Sequence, residues 1–259
     1  MKSHDGTGAK EGLERQEPGS ENASPALPAA GAEAQLDASL TEDAALSLLK
    51  RADLAPDVLE RLSKIGDLLK LRKVKLALIE HPKTPRHVSL PLIRQLYTFD
   101  LMQVALTPVV PADVKHAAEE TLCNRLDTIA SGERMTLAHR GSGRIAEALL
   151  SDAESRVMQA ALHNARLTES SIVRVLSRAD ATAAFVDVLA HHSAWSLRRE
   201  IRVALLRNEK TPMARAVEFA RRLPPGMLRE ILHTSRLPGN VKEYLLADMA
   251  KRDSGTSRL

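Results

Sequence analysis

From about Thr41 onward, apolar residues recur three and four positions apart, and no stretch keeps up the alternation of a half-buried strand. "SLTEDAALSLLKRA" opens with Ser39 or Thr41 as a helix N-cap and acidic residues in the first turn. In "LAPDVLERLSKIGDLLKL", the positions of Leu59, Leu62, Ile65, Leu68 and Leu69 predict one apolar stripe on a helix. Further on, the spacing predicts helices over roughly 154–164, 168–178, 182–191, 195–207, 212–222, 225–234 and 238–250. Residues 1–40 hold Gly, Pro, Ser, Ala and Glu without apolar periodicity. Such a segment buries too little to offset its ordering entropy and reads as a disordered tail. The organisation expected is a tail over 1–40, a helical repeat domain over 41–252 and a disordered C-terminal end over 253–259.

Three stretches repeat one pattern: "ALIEHPKTP" from Ala77, "ALHNARLTE" from Ala161 and "ALLRNEKTP" from Ala204. Weaker versions begin at Ala105, Leu137, Leu189 and Ile231, so successive steps are 28, 32, 24, 28, 15 and 27 residues. A two-helix unit of about 27 residues, in which either helix can end in the same way, accounts for these steps. No single helix here can bury its stripe alone. Stacked pairs share a continuous core, which predicts an all-α fold, an α-solenoid of short helix pairs.

Each residue type in the joint has a backbone reason to be there. Asn164 and Asn208 suit the left-handed conformation past a helix C-terminus, and His81, His192 and His233 suit its negative end. Thr84, Thr168 and Thr211 suit the next N-cap, and Pro85 and Pro212 the first helical position. These joints, with "WSLRREIRVALLRNEKTP", resemble bacterial HEAT-like arrays, in particular the leucine-rich repeat variant family, over roughly 71–250. The resemblance implies an α-solenoid and macromolecular binding, and no chemistry. One member type carries an N-terminal cysteine cluster for an iron–sulfur centre. The N-terminus here has no cysteine, so that feature is not carried over.

Composition sharpens this picture. Aromatics are only 2% while Ala, Leu, Arg and Glu dominate, which favours helix over strand. A single cysteine, Cys123, excludes a disulfide framework or a cysteine-based zinc site within one chain. The polar start is no secretory signal, and no run approaches 18 consecutive apolar residues, so the expected setting is cytoplasmic with no membrane span. The net charge of +4 divides into −4 over residues 1–40 and +8 over the rest. That asymmetry suggests an anionic partner, with the tail competing for the same surface, or simply helices solvated by arginine.

No catalytic constellation is readable. The nine histidines lack ligand spacing and read as caps or solvated side chains, so no metal and no cofactor is expected. "RGSGR" (Arg140 to Arg144) is either an anion site or a turn in which Ser142 is an N-cap. Glu119–Glu120 and Asp152–Glu154 are acidic pairs with no nucleophile beside them, and adjacent helical residues point apart.

The strongest surface candidate is Trp195 to Arg229, with nine basic and three acidic residues. There Leu197, Ile201, Ala204 and Leu205 are expected to be buried, leaving Trp195, Arg198, Arg199, Arg202 and Arg207 as candidate partner-binding residues. The competing reading is a solvated ridge with Trp195 plugging a seam between repeats. The expected function is a non-catalytic scaffold binding a protein partner, one with acidic character fitting best. The alternative is a HEAT-like protein binding the phosphate backbone of nucleic acid.

Overall fold

The computed structural model describes residues 40–256. The tail expected over 1–40, apart from Leu40, lies outside the described residues, as do residues 257–259. The described residues form sixteen α-helices and two 3-10 turns, with no strand. The helices are α1 Glu42–Leu49, α2 Pro56–Lys64, α3 Gly66–Lys70, α4 Arg72–Glu80, α5 Arg86–Ile93, α6 Thr98–Leu106, α7 Ala112–Cys123 and α8 Ser131–Arg140. They continue with α9 Gly143–Leu149, α10 Ser155–Leu162, α11 Glu169–Ser177, α12 Ala183–His191, α13 Arg199–Arg207, α14 Met213–Arg221, α15 Pro225–Thr234 and α16 Gly239–Thr256.

Local chemistry sets these boundaries. The side chains of Thr41, Ser142, Thr168 and Thr182 cap α1, α9, α11 and α12 by accepting backbone N–H bonds three residues on. Pro85, Pro111, Pro212 and Pro224 stand at the N-caps of α5, α7, α14 and α15. The helices expected over 168–178, 182–191, 212–222 and 225–234 are present within a residue of those limits.

Two expectations are corrected. The stripe through Leu59 and Leu69 is not one helix: Ile65 is extended (φ −83°, ψ 96°) and separates α2 from α3. The helix expected from 195 begins at Arg199, after a separate 3-10 turn over Trp195–Leu197.

Helices two apart in sequence pack together. One row runs α5, α7, α9, α11, α13, α15, each against the next; α4 meets α6, α8 meets α10, α10 meets α12, and α14 meets α16. Neighbours in sequence, such as α6 with α7 and α8 with α9, close the space between. That space is filled by aliphatic side chains, among them Leu78, Ile93, Leu122, Leu137 and Ile145, with Phe185 and Phe219 the largest. Leu, Ile and Ala fill short inter-helix gaps without needing polar partners, which suits a chain with so few aromatics.

Candidate functional site

The repeated joint holds one helix to the helix two before it. Asn208 is extended (φ −91°, ψ 129°), not left-handed, and buried. Its Nδ2 donates to the Leu176 carbonyl at the end of α11 (3.0 Å), and its Oδ1 accepts from the Lys210 N–H (2.9 Å). Asn164 repeats this, donating to the Ala138 and Gly141 carbonyls (2.7 and 3.1 Å) and accepting from the Arg166 N–H (2.7 Å).

His81 does the same with its two ring nitrogens, Nδ1 accepting from the Lys83 N–H (3.2 Å) and Nε2 donating to the Arg51 carbonyl (3.0 Å). With an N–H at one nitrogen and a carbonyl at the other, the Nε2–H tautomer satisfies both, so His81 works as a clamp between the two segments. In the last joint Ser235 fills this place, not the exposed His233: its hydroxyl donates to the Leu206 carbonyl (2.6 Å) and accepts from the Leu237 N–H (3.0 Å). The last carbonyls of a helix have no partner within it, and these side chains supply one from the neighbouring unit. Thr84 and Thr211 are corrected likewise. Both are buried and donate six residues back, to the Leu78 and Leu205 carbonyls (2.6 Å each), closing the preceding helix instead of capping the next.

Trp195 belongs to the same device. Half-buried, it donates its indole Nε1–H to the Leu162 carbonyl at the end of α10 (2.7 Å). His192, at the clamp position of that joint, accepts from the Ala194 and Trp195 N–H groups at Nδ1 (3.2 Å each). Its Nε2 is buried with no partner among the described residues, and its ring lies 4.8 Å from that of His163. Burial, and then the His163 charge, hold His192 below the ordinary histidine range.

The candidate arginines do not form one patch. Arg198 lies over the Trp195 ring (4.8 Å) and pairs with Glu169 of α11 (3.3 Å). Arg199 points instead toward α15, donating to the Met227 Sδ (3.1 Å). Arg202 is partly buried and donates to the Ser196 carbonyl (2.9 Å); burial, and then the nearby Arg222 guanidinium, push its pKa down. Arg207 is exposed at the end of α13, and among the described residues its guanidinium makes no hydrogen bond or ion pair. Leu197, expected in the core, is 57% exposed, because the 3-10 turn aims it away from the seam. Ile201 and Leu205 are buried as expected, with Val203 and Leu206 beside them, and Ala204 is only half-buried.

Asp152, Glu154 and Ser142, among the other sequence candidates, have structural partners. Arg134 ties Asp152 (2.7 Å), Glu154 (2.9 Å) and the Ile129 carbonyl (2.7 Å) together. Hydrogen bonds from Ser131 and Arg156 hold the Glu154 carboxyl below its usual range. In "RGSGR", Ser142 caps α9, and a Cβ on Gly143 would stand 2.6 Å from the Arg166 carbonyl, so this glycine permits a close approach of two turns. Burial raises the Cys123 thiol pKa, disfavouring the nucleophilic thiolate. Among the described residues no group of three His, Cys, Asp or Glu could hold a metal ion.

What sequence reasoning missed is a cleft of about 630 Å3 across α7, α9 and α11, lined by Arg144, Arg166, Arg174 and Arg178 with Glu147 among them. Arg178 also faces a small hollow shared with Lys210 and Arg236, and Arg236 and Arg207 line the next cavity, of about 200 Å3, between α11, α13 and α15. These cations come from four joints and helices, so no window of sequence brings them together. No described helix is long and apolar enough to cross a membrane. Comparison with protein-family models, with curated proteins and with solved structures finds no match for this chain.

Proposed function

We propose that residues 41–252 form an α-solenoid of HEAT-like helix pairs, of the bacterial leucine-rich-repeat-variant kind. It acts in the cytoplasm as a non-catalytic scaffold that binds a partner protein on its helical surface. The observation carrying this reading is the clamp. Asn164, Asn208, Ser235 and Trp195, with His81 the residues that look most like a recurring site, each fasten a joint to a helix two earlier, and His81 fastens its joint to Arg51, just past α1. Packing confined to near neighbours is the arrangement in which a stack exposes a long helix surface to a partner. Within the sequence candidates, Trp195 and Arg202 serve the seam. Arg198, Arg199 and Arg207, with exposed guanidinium groups, are the ones available to a partner.

The test is recovery of the tagged full-length chain from nuclease-treated extract of the cells that make it. The expected result is one protein retained in stoichiometric amount and released by salt. Recovery of no protein overturns the scaffold reading. Titration with duplex and single-stranded DNA at two salt concentrations decides the alternative: saturable binding that weakens steeply with salt favours a phosphate-backbone ligand, and none at low salt removes it.

A further inference from the structure

The cleft over α7, α9 and α11 and the cavity over α11, α13 and α15 flank a small hollow that shares Arg178 with the first and Arg236 with the second, so their arginines line one basic groove along the surface of the odd-numbered helices. We propose that this groove binds an extended acidic peptide segment of a partner protein, its carboxylates taken by Arg144, Arg166, Arg174, Arg178, Arg207 and Arg236. The assignment rests on the scaffold reading above and adds to it where the partner binds and by what chemistry.

All six side chains are exposed. Among the described residues Arg166 and Arg207 make no side-chain hydrogen bond or ion pair, and Arg144 meets no carboxylate, reaching the imidazole of His116 (2.8 Å) and the Cys123 thiol. Arg174 meets Glu147 at 3.5 Å, an ion pair too long for a good hydrogen bond, although Glu147 is 19% exposed. That carboxylate marks where a ligand carboxylate would sit, because a guanidinium fork donates to two oxygens at once and Glu147 fills it poorly. Arg178 shares its charge with Asp180 (2.8 Å), and Arg236 donates to the Ser177 carbonyl (3.3 Å), which holds both heads at the groove edge.

One observation favours a peptide over nucleic acid: no aromatic residue lines any part of the groove, so bases would have no stacking platform. Glu147, Glu200 and Glu209 line it among the arginines. Packed helices lie about 8–10 Å apart, so crossing from α9 to α15 spans roughly 30 Å. An extended peptide covers that distance with about nine residues at ~3.3 Å each.

The experiment is fluorescence anisotropy of the full-length chain with a labelled Asp/Glu-rich peptide of about ten residues, a Gln/Asn peptide of equal length, and oligothymidylate. Saturable, salt-sensitive binding of the acidic peptide alone is expected. Arg174→Glu with Arg207→Glu should weaken it about tenfold or more, while Lys73→Glu with Arg94→Glu, exposed outside the groove, should change it less than about twofold. Arg174→Gln with Arg207→Gln, checked for native helicity, guards against misfolding of the reversed pair. No binding at low salt, equal loss from the control pair, or tighter binding of oligothymidylate overturns the proposal. If the nuclease-treated extract still yields a stoichiometric partner when the acidic peptide fails, the groove assignment falls and the scaffold reading stands.

Discussion

Asn164 sits in a seam where three backbone groups depend on one side-chain amide. Asn164→Ala leaves two carbonyls and one N–H without their partner. The expected loss is about 2–3 kcal/mol in urea denaturation. Asn164→Asp should do no better, since it sets a carboxylate against two carbonyl oxygens; a near-native Asp variant would show that shape, not donation, matters. His192 carries a pH dependence of definite sign. Its folded pKa lies below the ordinary 6.5 because of burial and His163, so the unfolded chain binds the proton first as pH falls. Stability should therefore decline as pH drops through about 6.5 and keep declining until the folded imidazole protonates. His192→Gln should flatten the urea midpoint against pH in that window, and an unchanged slope would refute the assignment.

At the scale of the element, α9 depends on a glycine that its short length does not explain. Gly143→Ala places a Cβ 2.6 Å from the Arg166 backbone carbonyl, which belongs to the next joint and cannot swing away like a flexible side chain. The expected cost is about 1–3 kcal/mol, visible as a lower thermal midpoint. Leu197 makes the opposite case. Its period-four relation to Ile201 reads as core, but the 3-10 turn rotates it out to 57% exposure. Leu197→Ser should accordingly shift stability by no more than about 0.5 kcal/mol; a loss typical of a core leucine would restore the continuous helix expected from Trp195. Helix existence was legible because apolar spacing is a local signal. The breaks at Ile65 and Arg198 were not, since each is decided by how flanking segments dock.

For the whole described body, coupling should decay with distance along the chain. Contacts link each helix chiefly to its first and second neighbours. Asn208→Leu, which removes the donor to Leu176, should raise hydrogen exchange across α11 to α16 and leave α4 to α7 unchanged. A uniform rise along the body would instead indicate a single cooperative unit. The sequence-level candidates divide at this scale too. Trp195, Arg198, Arg199, Arg202 and Arg207 lie close in sequence and diverge toward Leu162, Glu169, Met227 and the Ser196 carbonyl, with Arg207 alone reaching the basic groove.

By itself the sequence determined an all-helical body, the approximate extent of most C-terminal helices and a repeated joint about every 27 residues. Spacing, capping and proline placement act within a few residues, so a linear reading recovers them. Only the tertiary structure decided what the joint does and where charge accumulates. A side chain that satisfies a carbonyl 26 to 32 residues earlier leaves no local trace. Nor do arginines from separate helices that meet because helices two apart pack side by side.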